Sequence, residues 1–503
     1  MQHRWSARAW ARAGGAVMLC AALVVTAMSP IGGGAQNIPP ESATPAQPGA
    51  GGDRNAATEA GAATGTASGA DTESNTPAAP DSDAAPDSDA AAGADGAAQD
   101  YEEIEVLSIG VIAGPEDAFQ VVLPGEKITR IVGTNAADPE IAAQQRQWLQ
   151  NGIIPGPAKY HDMAERALLD LHMLMRAPDA LPGAVVAAPT GIWKYVWPRD
   201  ASFIAVALAR TGHLEEAEEI LRFFTRVQRP DGLFEARYLP DGSGVPDDRP
   251  LQFDGCGWVP WAVAEWYSRA PSHDRDEGAL EFLPMVLGCL TAVESRVDTI
   301  TGLPDPSPDY WEVAETEATL GSTAALLLGA RQTARFLTDL DPVGRQREIH
   351  RAQTVAGHLD WGIYNNFARA GFPRRLTAPP RDAAVAFLMP PFTDQAEDRA
   401  VEAWSEALEN MRRPAGGVAP GESWPQDGVS WTPQTSLAAL VAAARGETQE
   451  AHRWLTWLDD HRTALGSIPE KVQSDGTPGD VAPLGWSAAL TLLTLLELEG
   501  KLM

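Results

Sequence analysis

From position 159 onward, apolar residues recur three and four places apart with polar residues between them, the period of helices that bury one face. That period predicts twelve helices, over 159–176, 200–211, 214–229, 257–270, 277–296, 315–337, 345–368, 380–390, 394–412, 433–445, 448–464 and 484–499, the eighth having the faintest pattern. Ahead of them, 104–135 alternates apolar and polar ("IEVLSIGVIA", "AFQVVLPGEKITRIVG"), the period of strands, in a stretch too short for a large sheet.

The links between the helices alternate in length. The second passes to the third through "TGH" at Thr211 and the tenth to the eleventh through "RGE" at Arg445. The first to second, third to fourth and eleventh to twelfth are joined by roughly twenty residues, which is long for a compact domain. Short links make antiparallel neighbours, so the long links all fall at one end. Six helix pairs closing into a ring would surround one mouth with six long loops. The expected fold is therefore an all-α main domain, an (α/α)6 barrel or six-hairpin toroid. An irregular helical domain or an open solenoid is the alternative, but neither requires long loops at one end only.

The first hundred residues carry neither period. Arg4, Arg8 and Arg12 precede an uncharged apolar run over 16–28 and a small-residue stretch ending Gly33-Gly34-Ala35, the order of a secretory signal peptide over 1–35. An uncleaved anchor is the other reading of that run. Residues 36–103 are mostly Ala, Pro, Gly, Ser, Thr and Asp, with "APDSD" repeated, and are expected to be a disordered linker because they lack apolar bulk to offset ordering entropy. A short β-rich lead-in over 104–158 and the helical domain over 159–503 complete the expected organisation, which implies an exported protein with no membrane span once the signal is cleaved.

The linker carries 13 acidic residues against the single Arg54, within a net charge of −30, and the excess persists in the globular part. Such a surface disfavours nucleic acid and anionic lipid and suits a neutral ligand. Cys256 and Cys289 remain after the leader, as one disulfide or as two buried thiols. No metal-ligand spacing, phosphate loop or nucleophile elbow is present, so no cofactor or metal is expected, and a monomer is the default.

Tryptophans gather in the long loops: Trp193 and Trp197 in the first, Trp258 ending the second, Trp311 in the third, Trp424 and Trp431 in the fifth, and Trp486 ending the sixth. An indole face with one donor suits a sugar ring, although any single one could be ordinary core. Arg199 and Asp200 stand where the second helix begins, as a capping acid or as a donor and acceptor clamp for vicinal hydroxyls. Gln252 and Asp254 precede the fourth helix in the same way. Glu312 follows Trp311 directly, and an indole there would dry its carboxyl and raise its pKa, as a general acid requires. Glu315 and Glu317 are read instead as first-turn acids of a helix. The sixth loop supplies Glu470, and two carboxylates at one mouth are what glycosidic cleavage needs.

In order, "YVWPRDASF", "QFDGCGW", "YWEV", "IPEKV" and "LGWSAAL" resemble glycoside hydrolase family 15, the glucoamylases and their bacterial relatives, including some trehalases, over roughly 159–499. The resemblance implies inverting, exo-acting hydrolysis of α-glucosidic links in a neutral α-glucan or short oligosaccharide, with Glu312 as acid, Glu470 as base, and Arg199 and Asp200 on the terminal glucose. Tyr195, Trp197, Asp254, Trp258, Trp311, Trp431 and Trp486 are the further substrate-binding candidates. Two arginines expected of bacterial relatives are missing, one at Ala314 and one near Val418, and 104–158 is too short for the β-sandwich such relatives carry. Trehalose and isomalto-oligosaccharides are therefore rival substrates, and an inactive secreted carbohydrate-binding protein is the reading from a different class.

Overall fold

The computed structural model describes residues 99–114, 118–271 and 275–500; the expected leader and nearly all of the expected linker lie outside the described residues. Four strands come first: β1 (Tyr101–Glu105), β2 (Gly110–Ala113), β3 (Phe119–Val122) and β4 (Lys127–Ile131). They form two antiparallel pairs, β1 with β4 and β2 with β3. Strand β1 begins inside the stretch expected to be linker. The lead-in is also not β-rich throughout, because α1 (Pro139–Gln150) fills its second half. Its signal was in the sequence: the Asp138 carboxylate caps the N–H groups of Glu140 and Ile141, and Pro139 opens the helix where no N–H is needed.

The barrel is built from α2 (His161–Leu174), α3 (Pro198–Thr211), α4 (Leu214–Val227), α5 (Gly255–Tyr267), α6 (Arg275–Glu294), α7 (Leu320–Leu340), α8 (Gln346–Gly362), a short 3-10 helix (Ala383–Leu388), α9 (Asp398–Met411), α10 (Thr432–Ala444), α11 (Thr448–Asp460) and α12 (Gly485–Leu498). The eighth expected helix is the 3-10 element: Pro379-Pro380 and Pro390-Pro391 bracket it too closely for a longer one, and Asp382 caps its start. A π-turn over Ile363–Phe367 extends α8.

Helices α3, α5, α7, the 3-10 element, α10 and α12 pack in sequence, and α12 returns to α3, which closes an inner ring. These helices are buried almost all round, as their small and apolar sequences require. The outer helices α4, α8, α9 and α11 bury one stripe each, such as Ala451, Trp454, Leu455 and Leu458 on α11. This is the (α/α)6 double ring, and each of the six long loops leads into the N-terminus of an inner helix. Five hydroxyls inside the ring are satisfied locally, with Thr211, Thr323, Thr435, Thr491 and Thr494 each donating to the carbonyl four residues back. At the far end, Arg210 of α3 binds Glu265 of α5 at 3.0 Å and Glu497 of α12 at 2.7 Å. Among the described residues no helix is long and apolar enough to cross a membrane.

Two contacts yield tests. Helices α5 and α7 touch through backbone: a Cβ on Gly257 would stand 2.2 Å from the Ala325 carbonyl oxygen. Gly257→Ala should cost about 1–3 kcal/mol of stability by overpacking, measured by chemical denaturation; a neutral result would mean that the two helices are not so closely held. On the outside, Trp148 of α1 stacks on His213 at 3.8 Å and lies 4.3 Å from the His172 ring. Burial, then the Arg176 cation, pushes His172 down to about 3, and burial pushes His213 down to about 4. Below about pH 6.5 the unfolded chain takes up protons that these folded rings refuse, so stability intact above that pH is lost as pH falls toward 4. In His213→Gln the denaturation midpoint should depend less on pH between 7 and 5, and an unchanged slope would refute the assignment.

Candidate active site

The mouth of the barrel is organised by Arg199, the second residue of α3. Trp197 holds the cap position and its side chain offers no acceptor, so this turn has no cap from there, and Arg199 and Asp200 stand at the mouth. The Arg199 Nη1 donates to Asp254 Oδ2 at 2.9 Å and to Gln252 Oε1 at 3.1 Å. Its other nitrogens lie 3.7 Å from Asp200 and 3.6 Å from Glu312, and the guanidinium sits 5.4 Å from the Trp486 ring centre. Burial pushes the Asp200 carboxyl up to about 6 against the pull of Arg199, and raises Asp254 in the same way.

Glu312 has a φ of 56°, the left-handed region that non-glycine residues seldom occupy. Its N–H donates to the Asp309 carbonyl at 2.8 Å, and Arg374 holds Asp309 and Glu315 at 2.7 Å each. The tight turn separates Glu312 from its neighbour. Trp311 packs under Arg374, 4.5 Å from its ring centre, and edge-on to Trp424 at 4.8 Å. The expected drying of Glu312 by that indole is therefore not what its surroundings show; the carboxylate is ion-paired with Arg249 and Arg199. Helix α7 starts only at Leu320, so Glu315 and Glu317 are not first-turn acids either, and bind Arg374 with Arg375 and Thr377.

Glu470 is held by its backbone on both sides. Its N–H donates to the Val481 carbonyl at 2.9 Å, and its carbonyl accepts from the Thr432 N–H at 3.0 Å and the Thr432 hydroxyl at 3.2 Å. The Thr432 and Ser487 hydroxyls are hydrogen-bonded to each other at 2.7 Å, joining the starts of α10 and α12 beneath the glutamate. A three-stranded patch, β5 (Ser430–Trp431), β6 (Lys471–Val472) and β7 (Pro478–Gly479), pairs Trp431 with Lys471. The Lys471 ammonium lies 4.4 Å from the Trp431 ring centre, 3.4 Å from Glu470 and 2.5 Å from Asp480. Only 3 % of Glu470 is exposed, and burial pushes its carboxyl up to about 7 although Lys471 pulls it down; the charge of Glu312 adds to the rise.

Four buried indole N–H groups at this end, on Trp197, Trp311, Trp431 and Trp486, have no hydrogen-bond partner, nor does Oε2 of Glu470. Buried polar groups are normally paired, so these mark where a polar ligand would complete the structure. Trp197 and the half-buried Tyr195 both lie against Arg237, at 5.0 and 4.7 Å. Trp258 differs: it is wholly buried against Phe203, Trp261, Phe387 and Phe392, and its N–H donates to Asp254 at 3.1 Å. It supports Asp254 from the core and is corrected here from a substrate contact to a packing residue. Cys256 and Cys289 are free and buried, and both face the Gly232 carbonyl. Arg249, Asp247, Arg237, Lys471 and Asp480 were not anticipated; the charged run "DDRP" inside a long loop and the lysine beside Glu470 were the available signals.

Residues 159–238 match the family model described as glycosyl hydrolases family 15. An isomaltose glucohydrolase of Kribbella flavida is 26 % identical over 68 % of this chain and 94 % of its own. The chain is thus similar to the glycosyl hydrolases of family 15, and it is a glycoside hydrolase. An uncharacterised glycosyl hydrolase of Methanocaldococcus jannaschii is 23 % identical over 67 % of this chain, which spans 56 % of that relative's length. Among solved structures, a glycosidase in complex with glucose superposes with a TM-score of 0.58 at 21 % identity, covering 67 % of this chain and 98 % of that one. The glucoamylase of Saccharomycopsis fibuligera gives 0.54 at 14 % identity, covering 70 % and 98 %. At these identities the superpositions establish the shared barrel.

Lys471 sets a testable feature of the site. In Lys471→Met the Glu470 carboxyl should keep its proton to a pH above about 7, its present value with the lysine in place. Isotope-edited infrared titration of the protonated carboxyl band measures this, and an unmoved band would show that the ammonium does not act on Glu470.

Proposed function

We propose that the protein is an exported, inverting α-glucoside hydrolase that releases glucose from the non-reducing end of α-glucans or short α-gluco-oligosaccharides. The observation that carries the reading is the placing of two carboxylates, Glu312 and Glu470, at the N-terminal end of one inner ring. There they act on each other electrostatically, among indole donors that lack partners. In this reading Arg199, Asp200 and Asp254 hold the hydroxyls of the terminal glucose, and the unpaired indoles of Trp197, Trp311, Trp431 and Trp486 complete the pocket. Glu312 gives its proton to the departing oxygen, and Glu470, once ionised, draws a proton from the water that attacks the anomeric carbon. In the resting site Glu312 contacts Arg249 and Arg199, and Glu470 tends to keep its proton. Ionisation of Glu470 as pH rises through about 7 then gives the acid limb of the rate profile. Export is supported by the leader-like order of 1–35 alone. The isomaltose glucohydrolase relative favours short α-1,6-linked substrates within this class, and relatives from Thermoplasma acidophilum and Thermoplasma volcanium, named as trehalases, favour trehalose over a shorter match.

The resting charges support a second reading with the two glutamate roles exchanged, and one experiment separates them. Maltose, isomaltose, trehalose, starch and α-glucosyl fluoride are offered to the parent, Glu312→Gln and Glu470→Gln, with the anomer released followed by NMR. If Glu312 is the acid, its variant should lose roughly 10²–10⁴-fold on disaccharides but far less on the fluoride, which needs no proton. Glu470→Gln should fail on both. The opposite pattern exchanges the roles, α-glucose as first product overturns inversion, and binding without turnover by the parent would make the protein a carbohydrate-binding one.

A further inference from the structure

The second long loop, 228–254, brings a cation to the mouth that neither the fold nor the paired carboxylates require. Arg249 donates through Nη1 to Glu312 Oε2, and its Nε lies 3.3 Å from Asp247. Asp247 is gripped in turn by Arg237, which is layered on the rings of Tyr195 and Trp197 and donates to the Ile192 carbonyl at 2.8 Å. A chain of alternating charge thus runs from the packed first loop through Arg237, Asp247, Arg249 and Glu312 to Arg199. Its members differ in freedom. The Arg199 and Arg237 side chains are 5 % and 4 % exposed, whereas that of Arg249 is 29 % exposed and hangs from "VPDDRP".

We propose that Arg249 is a positioning and specificity residue that latches Glu312 in the empty site and exchanges that carboxylate for the hydroxyls of the departing sugar. The proposal rests on the reading of Glu312 as proton donor. A guanidinium carries five donors in a fixed fork, and its two contacts here use two of them, so the others face whatever enters beside the cleaved bond. A carboxyl whose Oε2 is taken by Arg249 is not free to face a departing oxygen, so donation must wait until the contact is broken. The left-handed backbone at Glu312 sets where its side chain leaves the chain, and Arg199 lies 3.6 Å from the carboxylate, so that contact remains when Arg249 swings away. Asp247 anchors the base of the swing. A leaving group rich in hydroxyls takes up the released donors, whereas a methanol leaving group offers nothing to exchange. The charges acting on Glu312 are Arg249 and Arg199 by contact and Asp200 and Glu470 through space.

The test compares kcat and KM on the best disaccharide found in the glucoside panel with those on methyl α-glucoside, for the parent, Arg249→Ala and Arg249→Lys. In Arg249→Ala the disaccharide preference should fall by roughly tenfold or more, the value of a hydrogen bond to a charged donor. Arg249→Lys keeps the charge but not the fork, so it should retain only part of the disaccharide preference that Arg249→Ala loses. An equal loss on both substrates would assign Arg249 a merely structural role and overturn the proposal, as would no change in either. Glu312→Gln is assayed alongside: if it still cleaves disaccharides at the parent rate, it is the assignment of the donor that fails, whatever Arg249→Ala does.

Discussion

A guanidinium sealed from water must be met by carboxylates in good geometry, and at the mouth of this barrel that demand falls on Arg199. Its partners come from separate places in the chain: Asp200 on its own helix, Gln252 and Asp254 from the second loop, Glu312 from the third, and Trp486 from the start of the closing helix. One cation therefore ties four of the segments that meet at the mouth. Removing a partner would leave buried charge uncompensated, which is far more costly than losing a surface pair. The same helix repeats the device at its other end, where Arg210 joins α5 and α12. The two arginines stand about three turns apart and so share one face of α3, the face toward the ring interior. Closure of the ring and assembly of the site are one event seen from its two ends.

Periodicity made the helices legible because each ring leaves its own trace. Outer helices such as "LEEAEEILRFF" show a stripe, and inner ones such as "LAALVAAA" show continuous burial between polar loops. The rhythm of short and long links then specified closure. What escaped were matters of direction and distance. Trp258 sits one turn into α5, and its sequence neighbours do not say that its ring points to Phe387 rather than to the mouth. Trp311 and Glu312 are adjacent in the chain, yet the left-handed backbone at 312 sends them to different partners. Arg249 is invisible without its partner 63 residues away. Helix α1 was missed for a plainer reason, since Asp138 and Pro139 follow a strand pattern and its glutamines blur the apolar stripe.

The electrostatics explain why so many acids tolerate one place. Inner helices begin at the mouth, so their positive ends converge there, and Arg199, Arg249, Arg374 and Lys471 add to that field. Glu312 rests in it as an ion pair, while the deeper Glu470, sheltered beneath the Trp431 loop, is left with Lys471 as an incomplete match for its burial. Asymmetry between two carboxyls is what acid–base chemistry uses, and here it arises from depth and loop origin rather than from residue type.

The sixth loop is fastened at its base to the opening of the domain. Arg130 of β4 donates to the Leu465 carbonyl at 2.8 Å across 335 residues, Leu465 itself lies among Val106, Val122 and Ile128, and Ser467 donates to Asp170 of α2 at 3.0 Å. Glu470 stands three residues beyond that fastening. A nascent chain thus displays Glu312 well before its counterpart exists, and the counterpart is seated only when late segments dock onto strands made hundreds of residues earlier. Contacts of such sequence separation form slowly, so the two glutamates come to one mouth only once the sixth loop is fastened to the opening strands.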